Sequence, residues 1–377
     1  MRELCNLVVD LDERFVAPPD GERGPANSPA GIEIVKGGRA DDATLAWIDQ
    51  EFGGAWSSEA HAGTTVLARR AGSPVGFATF DPHGLRFRWL RGLARERDVG
   101  LFGPFGVAPA ERGSGLARAL LRRALGGLRE RGYARALIAG VGDERLVRYY
   151  SEAVGARVAE RFDVAALTAP RARTVVMASG NGSNLQSVLD AVRSGDLPID
   201  VAGVVANDAR AFAIERARTA GVESVTVVTW NRAQEARDDY DTRLLDVVSA
   251  LRPDLVLLLG WMHLLDERFV RSFPSLLNLH PAFLPLEPQR DDVGLPDGSR
   301  IPAFRGAHAV RDALAAGSAW IGATVHAVTP ATDRGPVLVR KPLHVETGED
   351  EGRLMQRLHA IEHQLVRAGI KRSLYER

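Results

Sequence analysis

The second half of the chain alternates uninterrupted apolar segments with amphipathic ones, and this order limits its fold more than any other feature. Short apolar runs are typical of strands buried on both faces, and the segments between them have helical spacing. The predicted segments are, in chain order, Thr174–Ser179, Leu185–Val192, Val201–Ala206, Ala211–Ala220, Val225–Val228, Ala233–Leu251, Leu255–Gly260 and Leu276–Leu279. This alternation predicts an α/β fold with a mostly parallel sheet, whose ligands bind beyond the carboxyl ends of the strands.

The chain is too long for a single hydrophobic core of ordinary size. It has 377 residues, of which 45% are hydrophobic and 25% charged, so two domains are expected. A polar segment at 165–173, which contains Pro170, separates two apolar segments. We place the boundary there and expect one domain over residues 1–168 and another over residues 174–377.

Charge and cysteine content exclude several classes of protein. The 48 basic residues equal the 48 acidic ones, so no overall field attracts nucleic acid or an anionic membrane. Cys5 is the single cysteine, which excludes a disulfide framework and a zinc site of four thiolates. No apolar run reaches the roughly 18 residues of a membrane span, and the first residues lack the apolar core of a secretion signal. We expect a cytoplasmic protein that binds no metal and acts on a small molecule. The sequence neither predicts nor excludes a homodimer.

Two other segments are irregular. Residues 17–31 contain four prolines among small and polar residues, which predicts a loop or linker. Residues 286–303 combine prolines, acids and glycines over a length well beyond that of an ordinary loop. A loop of that length is typically disordered or functional.

In the first domain, a strand that ends near Ala108 is followed by a glycine turn and a helix. Gly113, Gly115 and Ala117 leave backbone N–H groups uncovered at the start of that helix, where a diphosphate can bind. Arg112 can add a charged contact. An ordinary tight turn explains the glycines equally well when they are considered alone.

The segment Arg112-x-x-Gly115-x-Ala117, together with Arg145-Leu-Val-Arg-Tyr-Tyr150 and Gly155-Ala156, resembles the GCN5-related N-acetyltransferase (GNAT) family over about residues 32–165. The resemblance implies a mixed sheet with helices and an acetyl-CoA site. The implied acetyl-CoA contacts are Val107, Arg112, Gly113, Ser114, Gly115, Leu116 and Ala117. A tyrosine of the second segment would protonate the leaving thiolate, and Tyr149 and Tyr150 are both candidates. The general base is not singled out among Glu51, Glu59, Asp81 and His83.

In the second domain, Gly180-Asn-Gly-Ser-Asn184 lies between a predicted strand and a predicted helix. The two glycines permit unusual backbone torsions, and the N–H groups of residues 181–184 can surround a phosphate. A dinucleotide-binding turn requires a third glycine, and Leu185 stands in its place. A single phosphate is therefore favoured over NAD.

Asn278 and His280 lie two residues apart at the end of a predicted strand, so their side chains project to the same side. An amide donates hydrogen bonds to a developing oxyanion, an imidazole moves protons near neutral pH, and a carboxylate such as Asp333 can orient it. This combination suits acyl transfer from an activated donor to an amine, without a Ser or Cys nucleophile. An isolated Asn-x-His pair is more often a structural feature of a strand end.

The motifs Ser179-Gly-Asn-Gly-Ser-Asn184, Leu277-Asn-Leu-His-Pro281 and Asp333-Arg-Gly-Pro336, with Gly260-Trp-Met262, resemble phosphoribosylglycinamide formyltransferases over about residues 174–370. The resemblance implies 10-formyltetrahydrofolate as donor and Asn278, His280 and Asp333 as catalytic residues. It also implies folate contacts from Met262, His263, Leu264 and Leu265. The implied acceptor contacts are Gly180, Asn181, Gly182, Ser183, Asn184, Arg237 and Glu362.

Two departures from that family concern the acceptor. His263 stands where the family usually has Arg, and the 286–303 insertion replaces a short Tyr-Pro-Gly link. An insertion so near the catalytic strand can cover the acceptor pocket, so the amine need not be glycinamide ribonucleotide. His308 and His326 are expected to have supporting roles, and His344 and His359 are expected at the surface or at a strand end.

Three functions compete. The chain is either a fused enzyme that transfers formyl and acetyl groups to amines, or a formyltransferase whose first domain binds acyl-CoA without catalysis, or a nucleotide-dependent oxidoreductase. A true phosphoribosylglycinamide formyltransferase of purine synthesis is a further alternative. The missing third glycine and the Asn-x-His strand end favour the first function over the third.

Overall fold

The polypeptide forms two α/β units, each built on its own seven-stranded sheet. The structure, a computed structural model, describes residues 3–15, 29–85, 87–90, 92–163 and 171–375. One unit comprises Met1–Leu167 with Tyr375–Arg377, and the other comprises Thr168–Leu374. Residues 17–28 of the expected linker at 17–31 lie outside the described residues. The same holds for residues 165–170 of the expected boundary segment at 165–173.

The sheet of the first unit is mixed, in the order β2-β3-β4-β5-β6-β1-β7. Its strands are β1 (Glu3–Asp10), β2 (Ile32–Gly38), β3 (Thr64–Arg70), β4 (Ser73–Phe80), β5 (Val99–Val107), β6 (Arg135–Val141) and β7 (Arg157–Asp163). The strand β1 lies between β6 and β7 and runs antiparallel to both. The sheet therefore joins segments that are far apart in sequence.

In the described part of this unit, four α-helices accompany the sheet: α1 (Asp42–Phe52), α2 (Ser57–Ala62), α3 (Leu116–Glu130) and α4 (Glu144–Val154). The carboxylate of Asp41 caps α1 by accepting the Thr44 N–H at 2.7 Å. The apolar face of α3 is fully buried; its members are Leu116, Leu120, Leu121, Ala124, Leu125 and Leu128. The amphipathic spacing of this helix thus determines its orientation.

The strand β5 pairs with β6 over only part of its length. Its first half pairs with β6 in parallel, from Val99 to Phe102. On its opposite side β5 pairs with β4 from Phe102 to Val107, so Phe102 has a partner on both sides. Beyond Phe102, β5 does not pair with β6 in the described residues, which leaves the backbone of β5 on that side available to a ligand.

The second unit has the mostly parallel sheet that the sequence predicts, in the order β10-β9-β8-β11-β12-β15-β16. The first five strands in that order are parallel, and β15 and β16 are antiparallel. Their bounds are β8 (Ala172–Ala178), β9 (Ile199–Ala206), β10 (Ser224–Val227), β11 (Leu255–Leu259), β12 (Leu276–His280), β15 (Trp320–Ala327) and β16 (Val337–His344).

The helices of this unit are α5 (Ser183–Arg193), α6 (Phe212–Thr219), α7 (Arg237–Ala250), α8 (Glu267–Ser272), α9 (Ala309–Ala315) and α10 (Glu351–Tyr375). The helix predicted to begin at Ala233 begins instead at Arg237. The Asn231 side chain accepts the Ala233 N–H at 3.2 Å and its carbonyl accepts the Gln234 N–H, so these residues form a turn. None of the helices in the described ranges combines the length and the apolar character that a membrane-spanning helix needs.

The 286–303 insertion is an ordered hairpin of two short strands, β13 (Asp292–Gly294) and β14 (Arg300–Pro302). Val293 and Leu295 are buried, and the Trp320 indole N–H donates to Asp297 at 2.9 Å. The sequence analysis expects this segment to be either disordered or functional, and the ordered hairpin shows that the expectation of disorder is wrong. The apolar contacts and the indole hydrogen bond hold the hairpin against its own unit.

Candidate active site

The carboxyl end of β12 presents Asn278 and His280 on one side of the strand. The strand pairs with β15, and the register places Asn278 opposite His326 and His280 opposite Thr324. The Thr324 hydroxyl donates to Ala282 O at 2.7 Å and accepts the Leu284 N–H at 3.0 Å. Thr324 thereby fixes the turn that leaves β12 directly after His280.

Asp333 lies between these side chains. Its Oδ1 is 3.3 Å from Asn278 Nδ2 and 3.4 Å from His326 Nε2, and its Oδ2 is 3.6 Å from His280 Nδ1. The Gly306 N–H donates to Oδ2 at 2.7 Å. The structure thus brings together the three residues that the sequence singles out, and adds His326 to them. No group of three or more His, Cys, Asp or Glu side chains in the described part of the chain is arranged to hold a metal ion.

The backbone around Asp333 is tightly constrained. Asp333 has a φ of 51°, in the left-handed region that non-glycine residues rarely adopt. Two residues later, a Cβ on Gly335 would lie 1.6 Å from Ala327 O, so only glycine fits. The loop between β15 and β16 therefore returns close to β15, and this approach brings the Asp333 carboxylate to Asn278.

The charges in this cluster are set by burial and by mutual contacts. Burial alone would raise the pKa of Asp333, but the hydrogen bond to His326, the charge of His280 and the Gly306 N–H hold it well below its ordinary value. Burial lowers the pKa of His280, and Asp333 offsets that effect only in part. At neutral pH the pair is an ionised carboxylate beside a neutral imidazole.

The hydrogen bonds assign the protons. His280 Nε2 is 2.8 Å from Phe304 O, which can only accept, so Nε2 carries the hydrogen and Nδ1 faces Asp333 with a lone pair. Asn278 Nδ2 lies 3.2 Å from His326 Nε2 and 3.3 Å from Asp333. Both contacts are long for N–H donors, so a negatively charged oxygen can compete for the amide hydrogens.

His326 is the member of this cluster to which sequence reasoning gives only a supporting role. Its Nδ1 donates to Ala327 O at 2.8 Å, which directs Nε2 towards Asn278 and Asp333. The signal that identifies it is the register of β12 against β15, and that register follows from the topology rather than from a local motif. His308 is exposed at the start of α9, and His344 is exposed at the end of β16.

The loop Gly180–Asn184 follows β8 and leads into α5, at the same sheet edge as Asn278. Gly182 has a φ of 75° and faces Ala213, where a Cβ would approach to 2.7 Å. Gly180 does not have a positive φ, so the expectation of unusual torsions at both glycines holds only for Gly182. Leu185, at the position of the missing third glycine, is fully buried.

Polar contacts around this loop join distant parts of the unit. Asn184 Nδ2 donates to Glu362 Oε2 at 2.9 Å, while its buried Oδ1 has no hydrogen-bond partner among the described residues. Burial raises the pKa of Glu362. Arg216, which sequence reasoning does not single out, donates to Asn181 O at 2.9 Å and to Asn181 Oδ1 at 3.0 Å. The unpartnered amide oxygen marks a place for a ligand donor.

The segment 262–265 follows β11, the strand between β8 and β12. Met262 and Leu264 have exposed fractions of 52% and 67%, which suits contact with a flat apolar ligand. His263 accepts or donates a hydrogen bond with Tyr240 OH at 2.8 Å. Burial, with the charges of Arg237 and Arg232, lowers the pKa of His263, so this position lacks a positive charge at neutral pH.

Arg237 is held within its own unit. Its Nε donates to the buried Asp241 carboxylate at 2.7 Å, its Nη2 donates to Leu264 O, and its guanidinium stacks 4.9 Å from the Trp230 ring centroid. These contacts link α7 to the segment 262–265. An acceptor contact from Arg237 is therefore still a prediction.

In the first unit, the turn before α3 is open to a ligand. Gly113 and Gly115 have φ values of 79° and 88°, and a Cβ at either position would contact nothing within 4 Å. The Ser114 hydroxyl donates to Glu111 O at 2.7 Å and is turned back into the loop. The uncovered N–H groups at the start of α3 and the available backbone of β5 fit a diphosphate and an extended chain, respectively.

The two tyrosines of α4 have different surroundings. Tyr150 is buried with the core of the unit, and burial raises its pKa far above the ordinary value. The Tyr149 hydroxyl is buried without a hydrogen-bond partner in the described ranges. Burial raises its pKa above the ordinary value, and the charge of Arg118 of α3 offsets only part of that rise. An unpartnered hydroxyl near the start of α3 favours Tyr149 as the acid.

The structure does not distinguish one base among the four candidates of this unit. Asp81 accepts hydrogen bonds from Arg131 at 2.7 Å and from Tyr133 at 2.9 Å. Glu51 and His83 are exposed, and Glu59 is half-buried in α2. Asp81 is therefore held by two side chains of its own unit.

Comparison with known proteins follows this division of the chain. The formyl transferase family matches residues 172–286 and 297–370, and the acetyltransferase (GNAT) family matches residues 38–156. A phosphoribosylglycinamide formyltransferase of Escherichia coli (strain K12) is 36% identical over 190 residues, which cover 50% of this chain and 81% of the relative. One from Mycobacterium tuberculosis (strain ATCC 25618 / H37Rv) is 40% identical over 202 residues, which cover 53% and 83%. The crystal structure of glycinamide ribonucleotide transformylase 1 from Symbiobacterium toebii has 35% sequence identity and a TM-score of 0.46, and covers 53% of this chain and 86% of that chain.

Proposed function

The chain belongs to the formyl transferase family, and from that premise we propose that its second unit transfers a formyl group from 10-formyltetrahydrofolate to the primary amine of a small molecule. The chain also contains a GNAT acetyltransferase domain, so it is a transferase with two acyltransferase domains. The observation that carries the proposal is the meeting of Asn278, His280 and Asp333 at the carboxyl end of β12.

The three residues have different roles in the proposed reaction. The Asp333 carboxylate and the lone pair of His280 Nδ1 face each other at 3.6 Å, so a proton released by the attacking amine can be held between them. Asn278 has amide hydrogens that can turn from their long contacts to the oxygen that becomes negative during attack. His326 supports this arrangement because its Nε2 lies 3.2 Å from Asn278 Nδ2 and 3.4 Å from Asp333 Oδ1.

The reduced folate supplies an activated formyl group when it is bound. The segment 262–265 and the residues before Asp333 offer it an apolar surface and backbone groups at the sheet edge. Asn184 and Glu362 lie by the Gly180–Asn184 loop, where backbone N–H groups suit an anionic part of the acceptor.

The relatives are phosphoribosylglycinamide formyltransferases, so phosphoribosylglycinamide is the first acceptor to test. Mass spectrometry of reactions with 10-formyltetrahydrofolate and this amine, in parallel with a library of cellular amines, should show a mass gain of one carbonyl unit. A product with another amine but not with phosphoribosylglycinamide would assign a different acceptor. Absence of a formylated product from every amine, with bound folate, would refute formyl transfer.

For the first unit we propose acetyl transfer from acetyl-CoA to an amine, supported by the open turn before α3 and the free side of β5. Replacing Gly115 by Val should weaken acetyl-CoA binding at least about tenfold, because a β-branched residue resists a φ of 88° and covers the N–H groups. Calorimetric titration with acetyl-CoA measures this effect. Formyl transfer should stay unchanged.

Gly132 provides the matched control. It also has a φ of 88° and open space at its Cβ, but it follows the other end of α3. The Gly132→Val variant should therefore suffer similar backbone strain and keep its affinity for acetyl-CoA. Equal loss of affinity in both variants would show that strain, rather than the site, accounts for the effect.

Tyr149 and Tyr150 can be separated by removing one hydroxyl at a time. Tyr149→Phe should lower the kcat of acetyl transfer on the order of 100-fold, because the departing thiolate loses its proton donor. Tyr150→Phe should retain kcat, since its ring stays in the core. Thiol release with an amine panel measures both variants. Acetyl-CoA binding without any thiol release in the unaltered chain would identify a binding domain without catalysis.

A further inference from the structure

The inserted hairpin is connected to the active site through two arginines. Residues 287–296 lie between the two segments that match the formyl transferase family. Within them, the Pro288 and Arg290 carbonyls and the Asp291 carboxylate accept hydrogen bonds from Arg305 and Arg334. These two arginines flank the active site in sequence, since one follows Phe304 and the other follows Asp333.

The three residues that follow the hairpin each hold a part of the catalytic cluster. Phe304 O accepts from His280 Nε2 at 2.8 Å, and the Gly306 N–H donates to Asp333 Oδ2 at 2.7 Å. Between them, Arg305 Nε donates to the backbone oxygen of Asp333 at 3.2 Å. The position of this segment therefore determines both the tautomer of His280 and the direction of the Asp333 carboxylate.

The Arg305 guanidinium uses its whole donor fork in these contacts. Its Nη1 donates to Asp291 Oδ1 at 3.0 Å and its Nη2 donates to Arg290 O at 2.7 Å, while Nε serves Asp333. Its side chain is 14% exposed. Arg334 donates to the same Asp291 oxygen, so one carboxylate of the hairpin pairs with both guanidinium groups.

We propose that the inserted hairpin is a positioning element for formyl transfer, in which Asp291 holds Arg305 and Arg334, and Arg305 fixes the backbone that directs the Asp333 carboxylate at His280. This inference rests on the proposed formyl transfer by the second unit. Arg305 is a positioning residue, because it touches the backbone of Asp333 and reaches the reaction only through it.

The left-handed backbone of Asp333 explains why such support is needed. A non-glycine residue at a φ of 51° is strained and relaxes unless its surroundings hold it. A shift of the carboxylate by about an ångström is enough to lower a rate 100-fold. The hairpin acts on the Asp333 backbone and leaves the ligand-binding segment 262–265 unaltered, so its loss affects kcat more than KM.

The test compares two neighbouring acids of the hairpin. Asp291→Ala removes the counter-charge of Arg305 and Arg334 and should lower kcat about tenfold, with the KM for 10-formyltetrahydrofolate changed by less than about twofold. Asp292→Ala is the matched control. Asp292 pairs with Arg300 at 2.5 Å and with Arg290 at 3.2 Å, and neither pair includes the side chain of Arg305 or Asp333. The control should keep its kcat.

A second variant separates positioning from folding. Arg305→Lys retains a charge for Asp291 but lacks the planar fork that reaches Asp333 O and Arg290 O together. We expect this variant to have nearly the same Tm as the unaltered chain and a lower kcat. Equal kcat in the Asp291, Asp292 and unaltered chains, or equal losses in the two aspartate variants, would overturn the proposal.

Failure of the proposed function gives a different result. If the unaltered chain formylates no amine, formyl transfer is refuted, and hydrogen exchange at the amides of residues 329–335 still tests the hairpin. Faster exchange at these amides in Asp291→Ala than in Asp292→Ala would show that the hairpin stabilises the Asp333 loop. Identical exchange in the two variants would overturn it without reference to activity.

Discussion

Replacing Asp333 by Asn is expected to lower the kcat of formyl transfer by about 1,000-fold, within the range for loss of a proton-transfer group. The amide retains the shape and the hydrogen bond to Gly306, if its oxygen faces that N–H, but it cannot hold a transferred proton. The KM for 10-formyltetrahydrofolate should change by less than about threefold, because the apolar segment 262–265 is untouched. Steady-state kinetics with varied donor separates the two parameters.

The same variant has a second expected signature in its pH profile. His280 must keep its Nδ1 lone pair to accept a proton, so kcat falls when the pH drops through the pKa of His280. The Asp333 carboxylate raises that pKa against the effect of burial, and its removal lowers the pKa further. The acid limb of the residual activity should therefore move to lower pH. An unchanged kcat, or an acid limb moved to higher pH, would contradict the role given to Asp333.

Asn278→Ala is expected to lower kcat about 100- to 1,000-fold, the usual loss when one oxyanion donor is removed. The substitution also removes the amide that lies 3.3 Å from Asp333 Oδ1 and 3.2 Å from His326 Nε2. Rapid-quench measurement of a single turnover reports this chemical step directly. Asn231→Ala, at the turn before α7, is the control and should retain full activity. A single-turnover rate within about threefold of the unaltered chain would show that Asn278 does not stabilise the oxyanion.

Local pattern is sufficient to predict the side chains that the strand β12 presents. Residues 278 and 280 share a face because side chains alternate along a strand, and the alternation of strands and helices places that face at the ligand edge. The motif around Asp333 locates the carboxylate in sequence. The close approach of its loop to β15 cannot be predicted from the sequence. Gly335 is required there because a Cβ would collide with Ala327 O, and that contact is known only from the structure.

The parts that sequence reasoning misses depend on contacts between distant segments. His326 enters the cluster because β15 is antiparallel to β12 in one particular register, and a register cannot be read from either strand alone. The hairpin at 286–303 is ordered by burial of Val293 and Leu295 and by Trp320. Its composition resembles that of a loop, since short strands with prolines carry little periodic signal. The start of α7 at Arg237 reflects an Asn-capped turn that competes with helix formation.

The place of β1 has a consequence for how the first unit is made on the ribosome. Glu3–Asp10 is translated before either of its partners, Arg135–Val141 and Arg157–Asp163, and it must wait for both. Until the first partner emerges this apolar strand has two unpaired sides, and until the second emerges it has one, which is the condition under which nascent chains recruit chaperones or associate with one another. Premature termination before residue 157 would leave β1 with an unpaired side, so shortened products of this gene should be strongly prone to aggregation.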